Sequence, residues 1–220
     1  MRRPCYGLAT VRVVVCDPGV GNVRSVVRAI QRACAFTDGT PPWDVVVTRD
    51  PAVVRGADFV VVPGQGAFGP FARSIEGGLG DALREHIGSE RPYLGICLGM
   101  QVLFDSSDEA EGAKGLSVLA GHVARLDPGI EPATARPYAL PHIGWNAVEG
   151  SGEWSGARHF YFAHTYAASP ADASVVAATT EYGTARFASV VARGAVLGVQ
   201  FHPEKSQREG LALLTRFFRL

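Results

Sequence analysis

Leu94-Gly95-Ile96-Cys97-Leu98-Gly99-Met100-Gln101 decides the fold. The apolar run Tyr93-Leu94-Gly95-Ile96 leads into Gly-x-Cys-x-Gly, and an amphipathic run through Leu98, Val102 and the region of Asp105 follows. A strand that turns at once into a helix bends sharply, and glycines two residues either side of the turning residue leave room for the bend. Such a unit belongs to a parallel sheet with helices against it, and the upstream sequence repeats the theme. Val11-Arg12-Val13-Val14-Val15-Cys16 is nearly continuous in apolar residues, as strands covered on both faces are. After Asp17-Pro18-Gly19, residues 22–35 read as a helix. Val23, Val26, Val27, Ile30 and Cys34 form its apolar face, and Arg24, Arg28 and Arg32 a solvated one. Strands over 43–48 and 59–62, a short helix over 51–56, a Gly-rich loop and a helix ending near His86 complete the alternation. This rhythm predicts an α/β fold with a doubly wound, mostly parallel sheet and ligands at the carboxyl ends of its strands.

The second half changes character. Residues 116–119, 122–126, 158–162, 174–180, 188–192 and 196–200 read as short strands separated by Gly, Pro or Asp, which predicts antiparallel strands added to the sheet. Residues 208–220 read as a closing helix, with Leu211, Leu214 and Phe218 on one face. Residues 105–115 and the Pro-rich 127–141 read as exposed loops. Trp145, between Gly144 and Asn146, is expected in a surface turn, where an exposed Trp suits an interface anchor.

Composition narrows the classes. The 220 residues are 47% hydrophobic and 19% charged, a length that fits one domain. Lys+Arg and Asp+Glu both total 21, so the chain lacks the basic field that nucleic-acid binding draws on. No apolar run approaches a membrane span, and the basic N-terminus lacks the apolar region of a signal peptide. Cysteines at 5, 16, 34 and 97 make no CxxC and no zinc-like cluster with histidine, a pattern that suits a reducing, cytoplasmic setting.

Cys97 has two readings: a small buried hydrophobe beside turn glycines, or a nucleophile on an elbow. The strand–turn–helix context favours the second. On that reading Cys97 stands at a helix N-terminus, whose positive end lowers a thiol pKa, and the Leu98 amide points at a developing oxyanion. A thiol nucleophile needs a base, and the base an orienting group. Gly198-Val199-Gln200-Phe201-His202-Pro203-Glu204-Lys205-Ser206 supplies both at the end of another strand. Glu204 can accept from one nitrogen of His202 while the other faces the thiol, with Pro203 stiffening the turn. Alternatively, this is a strand-terminal turn with a salt bridge; the presence of Cys97 argues against that. His142 and His164 lack the further ligands of a metal site and read as strand-end or loop residues. The loop 64–69 lacks the ending of a phosphate-binding P-loop.

Gly-x-Cys-x-Gly followed by His-Pro-Glu resembles the triad-type (class I) glutamine amidotransferases over nearly the whole chain after Val11. The resemblance divides the chain into an N-terminal extension, 1–10, and a single type 1 glutamine amidotransferase domain, 11–220. Further segments resemble the glutaminase subunits of histidine biosynthesis. They are Gly19-Val20-Gly21-Asn22 with Ser25, Pro63-Gly64-Gln65-Gly66-Ala67-Phe68-Gly69, Pro141-His142-Ile143-Gly144-Trp145-Asn146, Tyr161-Phe162-Ala163-His164-Thr165-Tyr166 and residues 198–206.

That resemblance implies a flavodoxin-like domain that hydrolyses glutamine to glutamate and ammonia, without cofactor or metal. The ammonia passes to a partner cyclase subunit, a (β/α)8 barrel. It implies Cys97 as nucleophile, His202 as proton shuttle, Glu204 as its orienting group, and the amides of Gln65 and Leu98 as oxyanion donors. Gly64, Gln101, Thr165 and Tyr166 would hold glutamine, and Asn22, Trp145 and Tyr161 would face the cyclase. The oxyanion loop of the family more usually reads Pro-Gly-Val-Gly; here its third residue is Gln65, with the backbone amide retained. Alternative readings are a glutaminase serving another synthase, a silent regulatory module and a stand-alone cysteine hydrolase. Residues 141–146 argue against the first, intact Cys97, His202 and Glu204 against the second, and the interface-like Asn22 and Trp145 against the third.

Overall fold

Val13, Val14 and Val15 have no exposed surface, because β1 (Val11–Cys16) lies between other strands with a helical layer on each face. Successive side chains of a strand point to opposite faces. Val14 and Cys16 therefore pack on one side, with Val54, Phe71, Leu79 and Leu83, and Val13 and Val15 on the other, with Val26, Ile30, Leu213 and Phe217. Each buried Val contributes about 1.5–3 kcal/mol relative to exposure. The computed structural model describes residues 10–17, 19, 23–36 and 42–220; the sequence expectations for residues 1–9, including Cys5, and for Asn22 lie outside these.

The parallel half contains β2 (Trp43–Thr48), β1, β3 (Phe59–Gly64), β4 (Tyr93–Cys97) and β14 (Val196–Val199), in that spatial order. Reading β14 as the fifth strand, this is the 2-1-3-4-5 order of flavodoxin-like sheets. Helices α1 (Val23–Cys34) and α6 (Gln207–Phe217) cover one face, and α2 (Pro51–Arg55), α3 (Phe68–Ser74) and α4 (Gly78–Gly88) cover the other. Arg24, Arg28 and Arg32 of α1 are exposed, as the spacing predicts.

Beyond β14 the sheet continues antiparallel through β13 (Ala185–Arg193), β12 (Val176–Tyr182), β9 (His142–Gly150) and β10 (Arg158–His164), making nine strands. A second sheet joins β11 (Tyr166–Pro170), β6 (Gly121–Arg125) and β5 (Ser106–Ser107), and β7 (Ile130–Glu131) with β8 (Arg136–Pro137) makes a small hairpin. Among the described residues no helix is long and apolar enough to cross a membrane.

Four local expectations are corrected. Residues 116–119 are not a strand: the amides of Leu116, Val118 and Leu119 bond to the carbonyls of Val102 and Leu103, while Leu116 and Leu119 fill the core. The single helix expected before His86 is two, α3 and α4. Trp145 sits within strand β9 rather than in a turn. The helix after Cys97, α5 (Leu98–Gln101), is four residues long, followed directly by turns.

Candidate active site

The carboxyl ends of β3, β4 and β14 meet at one edge of the sheet. Gly64 ends β3 directly beside Cys97 at the end of β4, and Val199 of β14 lies beside Ile96. Cys97 takes φ +53° and ψ −109°, a conformation costly for a side-chain-bearing residue. Close approach of α5 to the sheet holds it there. A β-carbon on Gly99 would collide with the Val62 carbonyl, and one on Gly95 with the Gly99 carbonyl. A β-carbon on Gly64 would lie 2.5 Å from the Leu98 β-carbon. The two glycines of Gly-x-Cys-x-Gly thus let the chain reverse direction under the cysteine.

Past β14 the chain places His202 and Glu204 on a short 3-10 turn, Pro203–Lys205. His202 Nδ1 lies 2.9 Å from Glu204 Oε1, with the two side chains only 3% and 2% exposed. The backbone around the imidazole is pinned as well. The His202 amide donates to the Tyr161 carbonyl at 2.8 Å, and Ser206 Oγ donates to the His202 carbonyl at 2.6 Å. Ser206 Oγ also accepts from the Tyr161 amide at 3.0 Å, which ties this turn to β10.

Burial by itself pulls the His202 pKa down; hydrogen bonds to Cys97 and Glu204 and the negative charge available on both outweigh it and push it up to about 10. His202 therefore lies between a carboxylate and a sulfur that together favour its protonated form. Burial pushes the thiols of Cys16 and Cys34 up to about 12 and about 11, which keeps them neutral.

A cleft of about 300 Å3 opens over the sulfur. Gln65, Leu98, Gln101, Thr165 and Tyr166 line it together with Cys97 and His202. Of the described residues expected to react with or hold a small substrate, Gly64 and Glu204 alone do not line this cleft: Gly64 pairs with Cys97 at the end of β3, and Glu204 stands behind His202. Trp145 and Tyr161 are register partners on β9 and β10, their rings edge-on with centroids 6.2 Å apart. Trp145 is 47% exposed, and Lys205 places its ammonium 5.7 Å from the Tyr161 ring centre.

His142 and His164 also face each other across β9 and β10, with Nδ1 and Nε2 3.2 Å apart. Burial lowers the pKa of both, to about 4 for His142 and about 3 for His164, where the neighbouring His142 adds to the effect. Both rings are thus neutral, and His142 stacks between Phe162 and Tyr182.

Sequence reasoning passed over three polar residues of the site. Glu109 lines the cleft and accepts from the Phe68 amide at 2.7 Å. Lys205 lines it from the turn that follows His202. Gln200, without exposed surface, donates to Cys97 Sγ at 3.6 Å. Gln200 and Lys205 stood in the quoted segment beside His202, where adjacency alone gave no role; Glu109 lay in a loop without a motif.

A cysteine on a strand-to-helix elbow, facing a buried histidine–carboxylate pair on a doubly wound sheet, defines a cysteine-dependent acyl-transfer site. Comparison with known proteins makes the class specific. Residues 14–220 match the glutamine amidotransferase class-I family. The chain is 44% identical over 215 residues to the imidazole glycerol phosphate synthase subunit HisH of Methylococcus capsulatus, covering 94% of this chain and 95% of that one. It is 38% identical over 218 residues to the protein of the same name from Pyrococcus furiosus, covering 95% and 99%. Among solved structures, a glutamine amidotransferase superposes with a TM-score of 0.70 at 20% identity, covering 94% of this chain and 99% of that one. PurLQS from Thermotoga maritima superposes with 0.69 at 14%, covering 96% and 100%. The chain belongs to the class-I glutamine amidotransferase family.

Proposed function

We propose that this chain is the glutaminase subunit of imidazole glycerol phosphate synthase, acting in the cytoplasm in histidine biosynthesis as a heterodimer with a cyclase subunit. The observation that carries the chemistry is the Cys97–His202–Glu204 constellation, with Cys97 and His202 lining one cleft and Glu204 bonded to His202 behind them; near-full-length similarity to proteins named HisH supports the pathway. On this reading residues 11–220 form one amidotransferase domain and residues 1–10 an extension to it.

Cys97 Sγ attacks the side-chain amide carbon of glutamine, and the carbonyl oxygen becomes an oxyanion facing the amides of Leu98 and Gln65. Glu204 holds Nδ1 of His202, so Nε2 faces the reacting atoms. The imidazolium gives its proton to the leaving nitrogen, the C–N bond breaks, and ammonia departs from a γ-glutamyl thioester. His202, now neutral, takes a proton from water as that water attacks the thioester carbon; the C–S bond breaks and glutamate leaves. Gly64 and Gln101 hold the glutamine during these steps, and Thr165 and Tyr166 contact its amino-acid end. Ammonia released to bulk water would be protonated and lost to synthesis, so it passes directly to the cyclase, which forms imidazole glycerol phosphate and an aminoimidazole carboxamide ribonucleotide. Asn22, Trp145 and Tyr161 face that partner.

The test is glutamate and ammonia release from glutamine by the chain alone and by its mixture with a cyclase subunit. Slow hydrolysis alone, accelerated in the complex with acceptor present, is the expected result. Absence of hydrolysis in both arms, with the complex formed, would overturn the reading. Equal rates in both would remove the partner's role in activation.

A further inference from the structure

Gln200 has no exposed surface, and both ends of its carboxamide are engaged inside the site. Its Nε2 lies 3.6 Å from Cys97 Sγ, and its Oε1 lies 3.0 Å from Nε2 of Gln101. The orientation of the two amides is fixed by a third group. Gln101 Nε2 also donates to the Tyr166 carbonyl at 2.9 Å, and a carbonyl only accepts. The nitrogen of Gln101 must therefore face Tyr166, its second hydrogen must meet an acceptor on Gln200, and the nitrogen of Gln200 is left to point at the sulfur. The Gln200 backbone is itself anchored, its amide donating to the Ser189 carbonyl of β13 at 2.9 Å.

We propose that Gln200 is a positioning residue of the glutaminase site: it donates a hydrogen bond to the Cys97 sulfur and, through Gln101, couples the nucleophile to the group that holds glutamine. The inference rests on Cys97 being the nucleophile. The donor favours the sulfur as an anion and limits its swing about the Cα–Cβ bond, because an N–H stabilises a charged acceptor more than a neutral one. The link to Gln101 keeps the carboxamide of that residue turned with its oxygen free for substrate. A chain Tyr166–Gln101–Gln200–Cys97 thus connects strand β11, α5, the end of β14 and the elbow. The ionisable groups that line the cleft around the sulfur are His202 and Lys205 from the turn after β14, Glu109 after β5, His164 on β10 and Tyr166 on β11, with Glu204 behind His202.

Two substitutions separate the two bonds. Gln200→Glu keeps an acceptor for Gln101 and replaces the donor at sulfur with a carboxylate oxygen. Gln200→Met removes both bonds at similar volume. The assay is the rate of iodoacetamide alkylation of Cys97 against pH, read by mass spectrometry of its peptide in the full-length chain. In Gln200→Glu the profile should move to higher pH by about one unit or more, corresponding to roughly a tenfold loss of reactive thiolate at neutral pH. Glutamine hydrolysis in the complex should then lose kcat with KM little changed, whereas Gln200→Met should lose kcat and raise KM. Unchanged alkylation profiles in a folded Gln200→Glu chain overturn the proposal, and should Gln200→Met fail to fold, Gln200→Glu still decides it. Alkylation needs neither glutamine nor partner, so its result stands apart from the ammonia assay that tests the function itself.

Discussion

Gly99→Ala is the substitution for which the structure gives the sharpest expectation. A β-carbon built on Gly99 meets the Val62 carbonyl oxygen and carbon and, at 3.3 Å, the Val62 side chain. Val62 is a fully buried residue of the central strand β3, paired on both sides, so it cannot retreat. Either α5 lifts off the sheet or β3 leaves its register with β4. Overpacking of a core by one carbon costs about 1–3 kcal/mol, and a clash with main chain rather than side chain belongs at or above the upper end. At roughly 2–4 °C per kcal/mol for a chain of this size, the melting temperature should fall by about 6–12 °C. Gly88→Ala is the control: it ends α4, has a negative φ and meets nothing within 4 Å. That change should be neutral or stabilise by a few tenths of a kcal/mol. Thermal unfolding followed by circular dichroism measures both. A Gly99→Ala chain melting within a degree of the wild type would refute the claim that the glycines exist to seat the elbow against β3.

Cys97→Ala should abolish glutamate release while leaving the melting temperature within a few degrees, since the elbow glycines are untouched; retained turnover would displace Cys97 from its role. His202→Ala should cost more rate than Glu204→Gln, because the second keeps a base with poorer orientation, and the double variant should be little worse than His202→Ala alone; additive losses in steady-state assays would separate the two residues. The raised pKa of His202 makes its protonation stabilising: the contribution is complete below about pH 6.5 and is lost as pH rises through about 10. Melting temperature should fall across that window in the wild type and fall less in Glu204→Gln, a difference that pH-resolved thermal scans would detect. Trp145→Ala, at a half-exposed strand position, should leave the melting temperature unchanged and weaken association with a cyclase subunit at least several-fold by titration calorimetry.

The parallel half was legible because its strands are buried on both faces. Val13–Val15 and Val60–Val62 read as strands without any partner information, since no polar alternation dilutes the signal. The antiparallel extension was harder to read. Strand β9 runs His-Ile-Gly-Trp-Asn-Ala-Val-Glu-Gly, with Ile143 62% exposed and Trp145 47% exposed while His142 is buried. Its buried side thus carries a neutral histidine and its open side carries the large apolar groups, the reverse of the usual pattern. The Leu-Ser-Val-Leu of residues 116–119 misled in the other direction. Its leucines are buried, but the backbone bonds go to carbonyls freed where α5 ends early. At the site, motif spacing singled out a thiol, an imidazole and a carboxylate that the fold brings together. It could not find Gln200, whose engagement with Cys97 depends on β14 lying beside β4, a contact between residues 103 positions apart.

The brevity of α5 changes the account of how the sulfur is activated. A helix dipole sums over aligned peptide units, and four residues with few aligned carbonyls supply little of it. The expectation that the positive end of a helix lowers the thiol pKa therefore loses its main support. What remains is local: the short turn of amides that opens α5 and the side chains around the sulfur. These are His202, whose protonated form Glu204 and the sulfur favour, and Gln200. Both arrive on the segment that follows β14. In a sheet of this order the strand sequence reverses between β1 and β3, where ligands of doubly wound folds usually bind. Cys97 lies one strand further, on β4, where a strand from the second half of the chain enters parallel beside the elbow. The position of the site follows from the position of β14, and His202 and Gln200 reach Cys97 only when that strand is in place.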